Sequence, residues 1–426
     1  TAIAYDSRIH SYDFAVAAAE VLAGSNIEVF IYPRLEPTPA LSFAVRDQKC
    51  GAGVCITASH NPAKYNGYKV YGPDGCQITL QVANEIQRAI AQVEMFTGIK
   101  RLPFESGLAT GMIHYLEDDV LDRFVQTELS LVQYQADELS DLSIVYTPLN
   151  GTGFECVTTA LSKCGIRKLH IVNEQAFPDG NFPTCPFPNP EISGALELGL
   201  RDCMAINADL LLATDPDCDR VGIAVRNQKG EYVLLSGNEV GIILFDYICR
   251  THTAKGTMPN QPVAVTTVVS SAMADVIANK YNVELRRTLT GFKFIGEVIG
   301  NLEEDHEEER FIFGFEESYG YLSNRQVRDK DGVNACVLIC EAARWYKNRG
   351  MNLEEVISTL YNEYGYYANS LWHVSFLGAD GNRHIKNLLS KYRVNPPKEI
   401  GEFAVTDIQD YQCGINGLPK TNMLEF

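Results

Sequence analysis

Three stretches of the chain repeat the same order of apolar and polar positions. Residues 17–33, 158–172 and 274–288 each show helical apolar spacing, then a Gly or Asn break, then a run rich in β-branched residues. This order predicts a helix, a turn and a strand in each stretch. The wide interval between them favours three similar α/β domains over a solenoid, whose repeats are much shorter. The sequence therefore predicts an α/β, multidomain protein.

Chain length and linker-like segments divide the chain further. At 426 residues it is too long for a single core. Polar or proline-containing joints at 137–143 and 258–262 precede apolar runs that are typical of strands. A later segment combines a strand-like stretch at 371–376 with a helix around 382–392. We predict three domains and part of a fourth, C-terminal one, with the bounds 1–138, 139–260, 261–368 and 369–426.

Composition narrows the classes of function. The net charge of −18 argues against a broad nucleic-acid or membrane surface but suits a site for a hard divalent cation. The 12 cysteines include no CxxC pair, a usage that favours reduced thiols in a cytoplasmic enzyme. No apolar stretch approaches the ~18 residues of a membrane span. We therefore expect neither nucleic acid nor membrane as a partner.

The first candidate site is TASHNPAKYNGYK, residues 57–69, which follows an apolar strand at 54–56. Asn61 precedes a proline and is pushed away from helical backbone angles, so Ser59 lies on an irregular loop at a strand end. The alternative is an ordinary Ser-Asn-Pro turn. A Ser–His hydrolase pair is disfavoured, because Ser59 and His60 are expected to project to opposite sides and no GxSxG elbow surrounds them.

The second candidate is ATDPDCDRVG, residues 213–222, after the apolar strand at 210–212. Asp215, Asp217 and Asp219 fall at i, i+2 and i+4, so an extended segment would point all three carboxylates to one side. Such carboxylates repel one another unless a cation joins them. An EF-hand is excluded because arginine stands where its glycine and glutamate belong. An exposed acidic turn is the alternative, and Cys218 is expected on the opposite face.

The two motifs complement each other chemically. Three carboxylates leave an octahedral Mg²⁺ short of ligands, and a phosphate oxygen on Ser59 would supply a further one. A third motif, GFEESYGY at 314–321, follows a strand at 311–313 and offers carboxylates and a hydroxyl suited to a sugar. Glu316 and Glu317 are poor candidates for a glycosidase pair, because sequence neighbours rarely face each other across a bond.

TASHNP, DPDCDR and GFEES occur in this order, with weaker matches at YDSR, PTP, YTPLNGTG, FPNPE and TGFKFIGE. With these motifs the chain resembles the α-D-phosphohexomutase superfamily, specifically bacterial phosphoglucomutase/phosphomannomutase enzymes. The resemblance implies four domains around a cleft, each contributing one loop. It also implies that Ser59 carries a phosphate and, together with Asp215, Asp217 and Asp219, binds Mg²⁺.

The resemblance implies further roles in the cleft. Lys69 matches a candidate general base or acid, and we expect the metal and other cations to lower its pKa. His60 and Arg220 match residues that steady the phosphoserine charge. Glu316 and Ser318 match the pair that binds sugar hydroxyls, and Lys293 lies in a loop that faces substrate.

The implied activity is that of an isomerase, an intramolecular phosphotransferase. It interconverts hexose 1-phosphate and hexose 6-phosphate through a hexose 1,6-bisphosphate that also serves as primer. TGFKFI in place of a TGHS-like loop favours glucose over mannose. The alternatives are a phosphopentomutase, a phosphoglucosamine mutase, a phosphosugar-binding protein without turnover, or a metal phosphatase. The sequence does not predict the oligomeric state.

Two departures from the family pattern qualify this expectation. Asn150 stands where many relatives have histidine, and a phosphate-clamping motif of the RPSGTEP type is absent. We interpret the sequence as part of a longer enzyme. On that interpretation it should fold and bind metal but turn substrate over slowly, because an arginine clamp on the second phosphate contributes to transition-state stabilisation.

Overall fold

The structure is a computed structural model that describes residues 1–94, 97–133, 141–372, 374, 376, 380–415 and 417–426. The chain forms two compact units, Thr1–Tyr367 and Ala368–Phe426. The described part of the chain contains no helix with the length and apolarity that a membrane span requires. The candidate site lies entirely in the first unit, which therefore receives the fuller description.

The first part of this unit is built on a five-stranded sheet in the order β4-β3-β1-β2-β5. Its elements, in chain order, are β1 (Ala2–Tyr5), α1 (Ser11–Gly24), β2 (Val29–Ile31), α2 (Thr38–Asp47), β3 (Gly53–Ile56), β4 (Tyr68–Tyr71), α3 (Leu80–Ile90), α4 (Phe104–Thr110), β5 (Ile113–Tyr115) and α5 (Asp118–Leu129). All neighbours in the sheet are parallel except β3 and β4, which are antiparallel.

The second part has a five-stranded sheet in the order β10-β9-β8-β6-β7. Its elements are β6 (Ser143–Thr147), α6 (Gly153–Lys163), β7 (Lys168–Ile171), α7 (Glu197–Ile206), β8 (Leu210–Thr214), β9 (Val221–Arg226) and β10 (Tyr232–Leu235). The strands β6, β7 and β8 are parallel, and β9 and β10 continue the sheet in antiparallel fashion.

The third part has a four-stranded sheet in the order β12-β11-β13-β14. Its elements are α8 (Gly237–Lys255), β11 (Val263–Thr267), α9 (Met273–Tyr281), β12 (Glu284–Thr288), α10 (Phe292–Glu304), β13 (Phe311–Glu316), β14 (Gly320–Leu322), α11 (Gly332–Lys347) and α12 (Leu353–Tyr364). Again only the last pair, β13 and β14, is antiparallel.

The three sheets share one topology. In each, the first strand lies between the second and third strands in parallel, and the third strand pairs with an antiparallel fourth. Helices cover both faces, as sheets with parallel central strands require. The loop that leaves the third strand is therefore in the same place each time. These loops carry the three motifs that the sequence singled out.

Helix α8 belongs structurally with the third sheet. Ser236 and Glu239 form a capping box that starts the helix. The Phe245 ring stacks on Phe313 of β13 with ring centres 6.3 Å apart. A Cβ on Gly241 would lie 2.3 Å from the Phe315 ring, so glycine permits this close approach. We propose that the third domain begins before α8.

The second compact unit is smaller. It contains α13 (Gly381–Val394) and the short strands β15 (Glu399–Ile400), β16 (Phe403–Ala404), β17 (Gln409–Asp410) and β18 (Leu424–Glu425). The strands pair as two antiparallel hairpins, β15 with β16 and β17 with β18. Arg393 in α13 donates to Asp410 Oδ2 over 2.9 Å and so ties the helix to β17.

The predicted multidomain α/β class is confirmed, and each of the three helix–turn–strand predictions matches a helix and the strand that follows it. The predicted helix at 382–392 corresponds to α13. The strand predicted at 371–376 falls partly outside the described residues, and its described positions are not in a strand. The predicted boundary at 138/139 also lies outside the described residues. The domain bounds and the fourth domain stay predictions.

Candidate active site

Three loops, one from each sheet, meet at the candidate site. We call them the serine loop (residues 57–67, after β3), the aspartate loop (215–220, after β8) and the glutamate loop (316–319, at the end of β13). Each loop places one non-glycine residue in the left-handed region: Ser59 at φ 53°, Cys218 at φ 52° and Tyr319 at φ 64°. Such backbone is uncommon outside glycine and concentrates at functional sites.

The serine loop directs its hydroxyl toward the second domain. Ser59 Oγ donates to Asp215 Oδ2 over 3.0 Å and lies 3.1 Å from Nδ1 of His60. The expectation that Ser59 and His60 project to opposite sides is therefore wrong, because the left-handed backbone of Ser59 turns its side chain back toward His60. Burial and the charge of Arg220 lower the pKa of His60 to about 3, so the imidazole is neutral.

Arg8 supports the serine loop through hydrogen bonds to its backbone. The sequence reasoning did not identify this residue. Its guanidinium donates to the carbonyls of Pro62 over 3.0 Å and Tyr65 over 2.9 Å, and also to those of Ser59 and Asn61. Arg8 is only 3% exposed. The available signal was the YDSR motif, whose arginine follows strand β1. These bonds fix the shape of the loop that presents Ser59.

The aspartate loop brings three carboxylates together. One oxygen from each of Asp215, Asp217 and Asp219 lies within 4.8 Å of the others, and all three residues are buried. The convergence was predicted, but the extended backbone was not correct. The chain turns here, with Cys218 left-handed, and the Cys218 side chain packs into the core. The sequence reasoning thus found the ligand set through the wrong local conformation.

Neighbouring domains hold the aspartate loop by its backbone. The Thr38 N–H donates to the Asp217 carbonyl over 2.9 Å, and the Thr38 hydroxyl donates to Asp217 Oδ2 over 2.9 Å. From the third domain, the Gly332 N–H donates to the Cys218 carbonyl over 3.1 Å. A Cβ on Gly332 would lie 2.5 Å from that oxygen, so only glycine fits. The loop is therefore shaped by contacts with two other domains.

Cations surround the three aspartates. Lys69 Nζ lies 2.8 Å from Asp217 Oδ2 and 3.5 Å from Asp219 Oδ2. Lys330 Nζ lies 3.2 Å from Asp219 Oδ2. The backbone N–H of Arg220 donates a hydrogen bond to Asp215 Oδ1 over 3.1 Å. The cluster thus combines buried negative charge with two ammonium groups at its edge.

These contacts set the protonation of the cluster. Burial and the neighbouring carboxylates of Asp217 and Asp219 raise the pKa of Asp215. Burial also disfavours the Asp217 anion, but the Lys69 ammonium outweighs it and lowers the pKa of Asp217. Burial alone would lower the pKa of Lys69, yet the carboxylates raise it above its ordinary value. The predicted fall in the Lys69 pKa was attributed to a bound metal and nearby cations, and it stays a prediction.

The aspartate cluster fits a divalent cation on its own chemistry. Asp217 Oδ1 and Asp219 Oδ1 are buried and accept no hydrogen bond from the described residues. Buried acceptors without partners are costly, and a cation would satisfy both. Mg²⁺ takes oxygen ligands and is usually held by one or two carboxylates plus a phosphate. The Ser59 hydroxyl, already 3.0 Å from Asp215, lies where such a phosphate would be attached.

The glutamate loop offers a free acceptor. Ser318 Oγ donates to Glu316 Oε1 over 2.9 Å, and Lys330 Nζ lies 3.8 Å from the same oxygen. Glu316 Oε2 is buried and accepts no hydrogen bond from any described residue. Glu317 instead accepts from the Thr267 hydroxyl over 2.9 Å, so the two glutamates serve different purposes. This geometry agrees with the exclusion of a glycosidase pair.

Two predicted site residues stand apart from the cluster. Arg220 directs its guanidinium to Glu191 Oε1 over 2.7 Å and lies 3.8 Å from Asp219, not against Ser59. Lys293 lies in the first turn of α10 with its ammonium 5.2 Å from the centre of the Phe294 ring. In the described part of the chain, Lys293 forms no hydrogen bond or ion pair with the other predicted site residues.

Lys330 is the residue that joins the aspartate and glutamate loops, and the sequence reasoning missed it. Its ammonium is almost fully buried between Asp219 and Glu316. The signal was the charged run RDKDG at 328–332, directly before the apolar helix α11. Such a run is usually a solvated surface, so its burial only becomes visible in the structure.

Family models match most of the chain. Residues 1–96, 122–230 and 236–364 match domains I, II and III of phosphoglucomutase/phosphomannomutase, each described as alpha/beta/alpha. These ranges contain the serine, aspartate and glutamate loops respectively. The family assignment therefore extends to every part of the candidate site.

Named relatives are similar over nearly the whole chain. A probable phosphomannomutase of Haemophilus influenzae is 36% identical over 414 residues, covering 96% of this chain and 80% of the relative. A phosphoglucomutase of Staphylococcus aureus is 37% identical over 410 residues, covering 96% of this chain and 72% of the relative.

Solved structures share the fold. A putative phosphomannomutase from Thermus thermophilus superposes with a TM-score of 0.70 at 24% identity, over 85% of this chain and 75% of that one. Parafusin, a phosphoglucomutase of Paramecium in its open form, gives 0.69 at 19% identity, over 100% of this chain and 76% of that one.

Proposed function

The chain belongs to the phosphoglucomutase/phosphomannomutase family of isomerases, and from that premise we propose that it interconverts hexose 1-phosphate and hexose 6-phosphate through a phosphate carried on Ser59. One observation carries the proposal. Ser59 Oγ lies 3.0 Å from Asp215, although 156 positions separate the two residues in sequence. A serine presented to a buried carboxylate cluster suits phosphoryl transfer better than acyl transfer.

The aspartates and the Ser59 phosphate would together hold one Mg²⁺. When bound, the cation would neutralise charge on the transferring phosphoryl group. The chain's own contribution is to fix the geometry. Arg8 shapes the serine loop, and Thr38 and Gly332 shape the aspartate loop.

In the transfer step, a sugar hydroxyl oxygen bonds to phosphorus while the phosphorus–Oγ bond of Ser59 breaks. The sugar hydroxyl loses a proton and Ser59 Oγ gains one. Lys69, which reaches the cluster beside Asp217, is our candidate for this proton exchange, as acid in one direction and base in the other. Neutral His60, 3.1 Å from Ser59 Oγ, can donate a hydrogen bond to the phosphate.

We assign the sugar to the glutamate loop. Glu316 Oε2, buried without a donor from the described residues, can accept a hydrogen bond from a sugar hydroxyl, and Ser318 can provide a second contact. A hexose 1,6-bisphosphate would reorient here, so the contacts must serve two sugar orientations. We propose glucose as the preferred hexose, with mannose as a second substrate. Lys293 is retained as a candidate contact at the edge of this site.

The cysteines support a cytoplasmic site of action. All twelve are free thiols, and eleven are buried. Free buried thiols persist best in a reducing compartment. We therefore propose that the enzyme works in the cytoplasm.

The test is turnover of glucose 1-phosphate with glucose 1,6-bisphosphate and Mg²⁺, followed by ³¹P NMR. We expect glucose 6-phosphate from the wild type and none above background from Ser59→Ala. Ser162→Ala, which alters an exposed serine on α6, is the matched control and should keep wild-type turnover. Turnover by Ser59→Ala at the wild-type rate would contradict the proposal. Higher turnover of pentose or glucosamine phosphates would identify a related mutase instead.

A further inference from the structure

A second group of buried carboxyls lies outside the three loops. Glu128, near the end of α5, and Asp331, which precedes α11, are each completely or almost completely buried. Glu128 Oε1 accepts from Asn324 Nδ2 over 2.5 Å. Asp331 Oδ1 accepts from the N–H groups of Val333 and Asn334, each over 2.9 Å, and so caps α11. One oxygen of each acid is therefore satisfied.

The second oxygen of each acid has no hydrogen-bond donor among the described residues. Glu128 Oε2 and Asp331 Oδ2 are buried and accept no hydrogen bond from a described donor, yet the two carboxyl groups are within hydrogen-bonding range of each other. Two ionised carboxylates in that position would repel strongly, and no ion pair connects either acid to a lysine or arginine in the described chain. A single proton between the two oxygens satisfies both.

The proton belongs to Glu128. Burial and the charge of Asp331 raise the pKa of Glu128 well above its ordinary value. Burial raises the pKa of Asp331 only to about 6, because the backbone donors at the start of α11 stabilise its anion. Glu128 thus donates a hydrogen bond to Asp331 and joins α5 to α11.

The Glu128–Asp331 contact lies next to Lys330, because Asp331 follows Lys330 directly in sequence. Asp329, on the other side of Lys330, accepts from the Tyr71 hydroxyl and from Gln77 Nε2, each over 2.8 Å. Residues far away in sequence therefore hold both the residue before Lys330 and the residue after it. The Lys330 ammonium projects from this clamped segment to within 3.2 Å of Asp219 and 3.8 Å of Glu316.

We propose that Glu128 is a positioning residue, whose hydrogen bond to Asp331 fixes the backbone around Lys330 so that its ammonium stays between the aspartate and glutamate loops. The inference rests on the proposed function and deepens it. Loss of the bridge would leave a buried carboxylate unsatisfied, and the segment would shift to find water or another donor.

Two substitutions of similar size separate the hydrogen bond from simple packing. In Glu128→Gln, the amide can donate to Asp331 and accept from Asn324, so we expect kcat within about 3-fold of wild type. Glu128→Leu has no donor, and we expect kcat to fall about 30-fold with KM changed less than about 3-fold. Glu128→Asp retracts the acid by one methylene, about 1.5 Å, and should also lower kcat if the leucine variant does not fold.

Tyr346→Phe is the matched control. It deletes a buried hydrogen bond from the tyrosine hydroxyl to Asp246, 3.0 Å long, within the third domain. We expect this variant to lower Tm without changing kcat. If Glu128 had only a structural role, its variants would likewise lower Tm without changing kcat. The glutamine and leucine variants would then have the same kcat.

Crystal structures of the wild type, Glu128→Gln and Glu128→Asp test the positioning independently of turnover. We expect the Lys330–Asp219 contact to persist in the glutamine variant and to lengthen in the aspartate variant. The inference is overturned if Lys330 keeps its position in the aspartate variant, or if the leucine and aspartate variants keep wild-type kcat. Absence of mutase turnover in the wild type would contradict the proposed function instead, and the structures would still decide the position of Lys330.

Discussion

The aspartate loop and the Glu128–Asp331 pair are both clusters of buried carboxyl groups, but they meet different neighbours. Lys69 and Lys330 reach the aspartates, and Asp217 Oδ1 and Asp219 Oδ1 accept no hydrogen bond from the described chain. The Glu128–Asp331 pair meets only neutral donors and backbone N–H groups. The two clusters are linked in sequence, because Lys330 and Asp331 are adjacent.

This difference shows how a protein directs buried acids to different tasks. A lysine beside a buried carboxylate favours its ionised form, as Lys69 does for Asp217, and leaves oxygens available for a metal. Carboxyl groups without a cation lower their electrostatic cost by sharing a proton, and then serve as a hydrogen-bonded joint. Burial is common to both, so the surrounding charges decide the role. Each prediction below alters one side of this comparison.

The largest effect is expected from the aspartate cluster. Asp217→Asn removes one charge with little change in shape, and we expect turnover to fall about 1,000-fold. Mn²⁺ affinity, measured by electron paramagnetic resonance, should fall at least about 10-fold. Asp202→Asn, which alters an acid paired with His170 outside the cleft, is the control. Equal Mn²⁺ affinity in both variants would remove the aspartates from the metal site.

A smaller loss is expected when the cation between the clusters is removed. Lys330→Met keeps the length of the side chain but leaves Asp219 and Glu316 without its charge. We expect kcat to fall about 100-fold. Lys347→Met removes a lysine that pairs with Asp209 at 3.0 Å outside the cleft and should leave kcat unchanged. Similar kcat values for the two variants would show that Lys330 has no special role.

The glutamate loop should control which sugar is used. Glu316→Gln replaces an anionic acceptor by an amide, and we expect kcat/KM for glucose 1-phosphate to change about 10-fold relative to mannose 1-phosphate. Phosphorylation of Ser59 by glucose 1,6-bisphosphate should change less. Glu317→Gln, whose wild-type carboxylate faces Thr267, serves as the control. An unchanged preference in the Glu316 variant would argue against the sugar assignment.

The smallest effect concerns a third buried acid, Glu36. Burial raises its pKa to about 8, above its ordinary value of 4.5. Glu36 is therefore protonated in both states below pH 4.5, and ionises only in the unfolded state as pH rises toward 8, so stability falls across this window. The glutamine of Glu36→Gln does not titrate, so this variant should lose most of that fall, measured by urea unfolding at pH 5 and pH 8. Parallel pH profiles would show that Glu36 does not titrate as described.

Local features of this protein could be predicted from its sequence. Strand ends, the i, i+2, i+4 aspartates and the serine before an Asn-Pro pair are all encoded within about ten residues. The helix–turn–strand units were predictable for the same reason. Even here the backbone was misjudged, because the left-handed Ser59 and Cys218 lie in loops held by residues far away in sequence, Arg8 for the first and Gly332 for the second.

The remaining features depend on residues far apart in sequence. Asn324 bonds Glu128 across 196 positions, and Tyr71 bonds Asp329 across 258. A charged run such as RDKDG resembles exposed surface until three domains enclose it. The raised pKa of Lys69 likewise depends on carboxylates from the second and third domains. Long-range charge and burial, rather than local propensity, limited the prediction.

The central claim is that Ser59 carries the transferable phosphate. The most direct measurement is intact mass and peptide mapping after incubation with glucose 1,6-bisphosphate and Mg²⁺, for the wild type, Ser59→Ala and Ser162→Ala. The account predicts a single phosphate on the peptide that contains Ser59 in the wild type and in Ser162→Ala, lost again when glucose 1-phosphate is added. A stable phosphate on another residue, or an equal phosphate adduct on Ser59→Ala, would contradict it.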